Sequence, residues 1–229
     1  MSENYPLISC ICISNGNHAL LNRAIACFQS QNYPNKELVI SYDQNKQQIK
    51  AVIENLSDDR DLQLSTIEQT DRFGDALNNS VNVATGDYIC LWNDDDWYHP
   101  SRLWFQYNCI QGTRYDASVL NRIILYDAIS FKAYVSSSYL LSSSLLCKKM
   151  LIQSHPFNGL SSGENLPVID FLVKEKSLFY MDDCPFLYAF IYYGRNNIDY
   201  WIYKHIFNKS ELLNKELTNT IYDLLEIPD

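Results

Sequence analysis

The chain has 229 residues, 47% of them hydrophobic and 20% charged, and a net charge of -9. That size can bury a core without disulfide or metal staples, and the acidity disfavours a nucleic-acid partner, whose phosphates need a basic face. The N-terminus shows no basic segment leading into a long apolar stretch, and no apolar run reaches the length of a membrane span, so the expected location is cytoplasmic.

The first half reads as alternating strands and helices. Leu7 to Ile13 is a short apolar run suited to a buried parallel strand. It ends at Ser14-Asn15-Gly16-Asn17, a turn able to cap a helix. Leu20, Leu21, Ala24, Ile25 and Phe28 follow at helical spacing, and Pro34 closes the unit. Glu37 to Ser41 reads as a second strand ending at Asp43, and Ile49, Val52, Ile53 and Leu56 mark a second helix. Leu62 to Ile67 is a third strand, and Gly74 opens a helix that presents Ala76, Leu77, Ser80, Val81 and Ala84 on one face. After the turn Thr85-Gly86-Asp87, Tyr88 to Trp92 reads as another buried strand. This order predicts an α/β fold with a right-handed, doubly wound, mostly parallel sheet. Ligands of such sheets bind beyond the carboxyl ends of the strands. Those ends here are Ser14-Asn15, Asp43 and Asn93-Asp94-Asp95-Asp96.

The second half is less regular. Ser118 to Tyr126 and Phe131 to Ser136 read as strands, and Ser142 to Leu151 as a strand running into a helix. Pro167 to Val173 suits a helix with proline at its start. Leu212 to Leu225 carries the spacing of a C-terminal amphipathic helix. The expectation is one domain over 1–229: a ligand-binding half at 1–103, a second half at 104–207 and a C-terminal helix at 208–229. Seven cysteines are scattered without a CxxC pair, which reads as buried free thiols.

The acidic run carries the chemistry. Adjacent carboxylates repel one another and resist burial. A divalent cation relieves both problems, and Mg2+ or Mn2+ commonly takes one or two carboxylates together with substrate phosphates. An isolated run of three aspartates is more often a solvated turn. At the end of a core strand of a doubly wound sheet, it reads as a metal site that neutralises a diphosphate.

Several pieces, in order and at matching spacing, resemble the family 2 glycosyltransferases. They are Leu7-Ile8-Ser9 through Asn15, Ala24-Ile25 through Gln31-Asn32-Tyr33-Pro34, and Glu37-Leu38-Val39-Ile40. Ala84-Thr85-Gly86-Asp87-Tyr88-Ile89 and Asn93-Asp94-Asp95-Asp96 with Pro100-Ser101-Arg102-Leu103 complete the set. The resemblance implies a GT-A fold, inversion at the transferred sugar, and a nucleotide diphosphate sugar, UDP-linked, as donor. It implies a glycan or lipid-linked acceptor, with peripheral membrane contact where the acceptor is lipid-linked. By the same resemblance Ser14 and Asn15 meet the nucleotide, Asp43 bonds a uracil-type base, and Asn78 matches an asparagine on the helix before the acidic motif. Asn93, Asp94 and Asp95 overlay a DXD motif. Asp95 is then the main metal ligand, Asp94 a ribose or metal contact, and Asp96 a support for the loop. The chain departs from the pattern at Tyr42-Asp43, which holds one acid where two are usual, and at Asn93, which stands at the first acidic position.

An inverting transferase needs a carboxylate to take the proton of the acceptor hydroxyl. The family's Gly-Glu-Asp segment corresponds to Gly163-Glu164-Asn165, so Asn165 replaces the usual aspartate. Glu164 is the first choice for the base and Asp170 the second. Trp97 and Tyr98 are the acceptor-site candidates. His205 is a candidate third metal ligand, and Arg195 a candidate diphosphate contact. Two other functions compete. A nucleotidyltransferase shares fold and metal, but its glycine-rich basic first loop is missing from Ser14-Asn15-Gly16-Asn17. A non-catalytic carbohydrate- or nucleotide-binding module fits the amides at Asn93 and Asn165. A dehydrogenase is disfavoured because no GxGxxG follows the first strand.

Overall fold

In the computed structural model, which describes residues 5–56, 62–67, 72–158, 166–194 and 200–227, the first half alternates strand and helix. Its elements are β1 (Ile8–Ile13), α1 (His18–Gln29), β2 (Lys36–Asp43), α2 (Gln47–Asn55), β3 (Leu62–Ile67), α3 (Phe73–Val83) and β4 (Tyr88–Leu91). A short strand β5 (Trp97–Tyr98) and helix α4 (Arg102–Asn108) follow. The chain continues through β6 (Ala117–Leu120), β7 (Ile124–Asp127), β8 (Lys132–Val135), β9 (Leu146–Lys148), α5 (Lys149–Ser154) and α6 (Leu166–Lys174). It ends with β10 (Leu178–Met181), β11 (Tyr188–Tyr192), α7 (Tyr200–Asn208), β12 (Glu211–Leu212) and α8 (Lys215–Leu225).

The larger sheet has the order β10-β6-β9-β4-β1-β2-β3. Strands β3, β2, β1 and β4 run parallel, β9 runs against both β4 and β6, and β10 is parallel to β6. Central strands of such a sheet are covered on both faces, so their middle positions are mostly apolar. Their side chains alternate between two layers. Cys10, Cys12, Leu38, Ile40, Cys90 and Trp92 face α1 and α2, where Leu21, Ile25, Phe28, Ile49 and Ile53 pack. Ile11, Val39, Ile89 and Leu91 face α3, α5 and α6, where Leu77, Val81, Ile152, Val168 and Leu172 pack.

The amino-terminal pole of this sheet is held by one buried carboxylate. Glu37 accepts hydrogen bonds from Ser9 Oγ (2.6 Å), Thr85 N (2.6 Å) and Thr85 Oγ1 (2.7 Å). Gly86 N donates to Ser9 Oγ at 2.9 Å. A Cβ at Gly86 would lie 2.6 Å from the carbonyl oxygen of Leu7, so only glycine fits. The Thr85-Gly86 turn is therefore a structural clasp, at the end of the sheet away from the acidic run.

The second half is more ordered than its sequence pattern indicates. Five strands form a separate sheet in the order β12-β8-β7-β11-β5. The run Ser118 to Tyr126, expected as one strand, is two: β6 joins the larger sheet and β7 the smaller. The break falls where Asn121 N donates to Met181 O and Ile123 N donates to Ser136 Oγ, so the ladder changes partner between them. The C-terminal helix is shorter than expected, because Glu211–Leu212 pairs as a strand with β8 before α8 begins at Lys215. The acidic run lies between β4 and β5, and thus at the junction of the two sheets.

Candidate active site

Three strand ends meet at one rim. β1 leads into Ser14 and Asn15, β2 ends at Asp43, and β4 leads into Asn93 to Asp96. Parallel register brings β1 and β4 side by side, with Ile11 opposite Leu91. The loops beyond them are joined directly. Asn15 N donates to Asp94 Oδ2 at 2.8 Å, and Asn15 Nδ2 donates to Asp94 Oδ1 at 3.0 Å. Both oxygens of Asp94 are thus engaged, and the residue is 1% exposed. Burial is the main cause that pushes its carboxyl up to about 6, against the lowering effect of the Asn15 bonds. Asp94, expected as a ribose or metal contact, thus links two strand ends through Asn15.

Asp96 is fully buried and faces the smaller sheet. It accepts from Tyr188 Oη, from Asn93 Nδ2 at 2.9 Å and from Ile191 N at 3.3 Å. Burial, then the charge of Asp95, pushes its carboxyl up to about 7. Asn93 is itself clasped by Tyr98, whose hydroxyl receives Asn93 N–H at 2.6 Å and donates to Asn93 O at 3.2 Å. Asp95 is the half-buried member of the three aspartates, between two anchored neighbours.

Beneath this loop lies Arg102, fully buried. Its guanidinium carbon lies 4.5 Å from the Tyr98 ring centroid, 5.1 Å from Tyr188 and 5.2 Å from Trp92. Such a cation over ring faces is attracted by their quadrupoles, so Arg102 holds the two tyrosines that hold Asn93 and Asp96. Gln31 positions the start of α4: its Nε2 donates to His99 O at 2.8 Å, and its Oε1 accepts from Leu103 N at 3.1 Å.

The remaining expected residues fall in different places. Ser14 is buried, and its hydroxyl accepts from Gly16 N at 3.2 Å. Asp43 is half-buried at the rim and caps its own turn, with Oδ1 accepting from Asn45 N at 2.9 Å and from Asn45 Nδ2 at 3.0 Å. Asn78 brackets the Phe157 backbone: its amide donates to Phe157 O at 2.8 Å and accepts from Phe157 N at 3.0 Å. Tyr98 is 1% exposed and packs its ring against Trp92, so it is a core residue and not an acceptor surface. Trp97 is half-buried, next to His99. Asp170 is exposed on α6, whose opposite face packs into the core through Val168, Ile169 and Leu172. Glu164, Asn165 and Arg195 lie outside the described residues.

Two basic residues at the site escaped the sequence reading. Lys46 crosses from the β2–α2 loop and donates from Nζ to Asn15 O at 2.9 Å. Its side chain lies over Gly16, where a Cβ would approach it to 2.4 Å. Arg23, on α1, donates from Nη2 to Asp95 O at 2.7 Å and to Asp96 O at 3.4 Å. For Lys46 the only sequence signal was a basic residue just after a strand end; Arg23, in the middle of α1, gave none.

Among the described residues, no three His, Cys, Asp or Glu side chains come together as a metal cage, so His205, exposed on α7, does not complete one with Asp94 and Asp95.

A larger parallel-rich sheet with a rim of polar strand ends, joined through an acidic loop to a smaller sheet, is the GT-A architecture. The S. aureus TarS 1-349 structure in complex with UDP-GlcNAc superposes with a TM-score of 0.67 at 17% identity, over 83% of this chain and 59% of that one. The mannosyltransferase PcManGT from Pyrobaculum calidifontis, in complex with GDP-Man and Mn2+, gives 0.65 at 14% identity, over 88% of this chain and 61% of that one. In sequence, the family description for glycosyl transferase family 2 matches residues 10–164, more than half of the chain. The chain belongs to that family. It is also 29% identical over 93 residues to the Campylobacter jejuni GalNAc(5)-diNAcBac-PP-undecaprenol beta-1,3-glucosyltransferase. That match covers 40% of this chain and 30% of the relative, and the chain spans less than two thirds of each of these proteins.

Proposed function

We propose that the protein transfers a sugar from a nucleotide diphosphate sugar to a glycan or lipid-linked acceptor, with inversion and with assistance from Mg2+ or Mn2+. The observation that carries this reading is the joining of Asn15, Asp94 and Asp95 at one rim, next to Asp43. A nucleotide laid along that rim would meet Asp43 at its base end and the acidic loop at its diphosphate end. Asp94 and Asn15 would act together as a fixed ribose or phosphate contact, and Ser14 would shape the turn beneath. Asp95 would hold the cation, which when bound would neutralise charge on the departing diphosphate.

On the acceptor side, Trp97 is half-buried beside the loop, and Glu164 remains the proposed base, with Asp170 second. The C. jejuni relative, by its name, acts on an undecaprenol-linked saccharide; that likeness supports a lipid-linked acceptor and peripheral attachment to a membrane. Among the described residues no helix is long and apolar enough to cross one.

The two similar solved structures are complexes with UDP-GlcNAc in one case and GDP-Man in the other, so donor choice is the direct test. Calorimetric titration of UDP and of GDP, each with and without Mn2+, is expected to show metal-dependent binding of UDP that Asp95→Ala removes. Binding of neither nucleotide to folded protein would overturn the donor site and favour a non-catalytic module.

A further inference from the structure

Arg23 is 5% exposed, yet among the described residues neither its Nε nor its Nη1 has a hydrogen-bond partner. Its one engaged nitrogen, Nη2, reaches the main-chain carbonyls of Asp95 and Asp96. The guanidinium carbon lies 5.9 Å from the ring centroid of Tyr193, just beyond β11. Buried polar groups without partners are rare and call for a cause. Packing alone is no cause, because a methionine of similar length would fill the space without orphaned donors. What an arginine adds here is a strong charged donor aimed at the Asp95 carbonyl, at 2.7 Å, and more distantly at that of Asp96.

The Asp95 peptide group matters because of its neighbours. Asp94 is fastened to β1 through Asn15, and Asp96 is fastened to β11 through Tyr188 and Ile191. Between them, Asp95 has its carbonyl held from α1 by Arg23. Arg23 restrains the rotation of this peptide, and with it the backbone from which the Asp95 side chain projects. We infer that Arg23 is the positioning residue for the Asp95 carboxylate, keeping it toward the rim where a cation bound to a nucleoside diphosphate would sit. The inference rests on the donor-site reading above.

The test is a double-mutant cycle read by calorimetry with UDP, with and without Mn2+. Arg23→Met is expected to weaken the Mn2+-dependent binding at least tenfold and to leave metal-free binding within twofold. Arg23→Lys, which keeps one charged donor, is expected to recover part of the loss. In an Asp95→Asn background, Arg23→Met is expected to add less than a further twofold, because the group it positions is already gone. Wild-type affinity in Arg23→Met, or losses that multiply in the double variant, would overturn the role. Should Arg23→Met fail to fold by circular dichroism, the same cycle with Arg23→Lys decides in the same way. A wild-type protein that binds no nucleotide would instead defeat the donor-site reading and Arg23's role with it.

Discussion

The side-chain amide of Asn93 donates to the buried carboxylate of Asp96, three residues on and inside the same motif, at 2.9 Å. The amide at the first acidic position is thus a donor in a network, and its loss would leave Asp96 short of a partner. Asn93→Asp, which restores the more usual acid, would set a second carboxylate against a buried one. It is expected to destabilise the protein by about 2–3 kcal/mol, the cost of a lost charge-assisted bond and an unsatisfied buried acceptor. Urea denaturation at pH 8 measures it. A variant as stable as wild type, with tighter Mn2+ binding, would show that Asn93 is only a missing ligand.

Glu37 offers a separation of fold from site. Its carboxylate accepts from Ser9 and Thr85 at the pole opposite the rim. Glu37→Gln turns one acceptor into a donor that faces other donors, and is expected to cost about 2–3 kcal/mol. UDP affinity at a temperature where the variant is folded should stay within twofold. A selective loss of binding without loss of stability would contradict the clasp.

Lys46 is exposed, and its ammonium sits on Asn15 at the rim. If the rim takes a diphosphate, Lys46→Ala should weaken UDP binding about three- to tenfold, more at low salt than at high, because an exposed charge is screened. Stability should change by no more than about 0.5 kcal/mol, as for other surface substitutions. Equal affinity at low salt would remove Lys46 from the site.

Cysteine chemistry is expected to be quiet. Cys10, Cys12, Cys27, Cys90 and Cys147 are buried, while Cys109 and Cys184 are half-buried. Burial pushes the Cys109 thiol up to about 11 and raises Cys184 as well. A raised thiol holds less thiolate, the reactive form, at neutral pH. Maleimide labelling of native protein at pH 7 should therefore be slow and confined to Cys109 and Cys184, and should quicken from pH 7 to pH 10. The other five should label only after guanidinium unfolding. Rapid native labelling of Cys10 or Cys90 would contradict the packing of β1 against β4.

The legible part of the fold was the part written in local periodicity. β1, β2 and β4 are apolar on both faces because both are covered, and α1, α2 and α3 carry one apolar stripe each. The smaller sheet was less visible. Its strands are short, two of them only two residues long, and a short strand has too few alternations to declare a period. Phe179, in the larger sheet, and Tyr188, in the smaller, lie in a stretch rich in aromatics, and pairing with β6 and β7 makes strands of their segments.

The sequence by itself determined the alternation of strand and helix, the rim to which the strand ends deliver polar groups, and the position of the acidic run at that rim. Tertiary structure decided what each polar side chain does there. Asn15 and Asp94 are 79 positions apart, as are Asn78 and Phe157, and Arg23 reaches a carbonyl 72 positions away. Burial leaves a periodic trace along the chain because it repeats with each turn or pleat. A single hydrogen bond between distant residues leaves none, so the division of labour among Asp94, Asp95 and Asp96 exists only once the two sheets have closed around them.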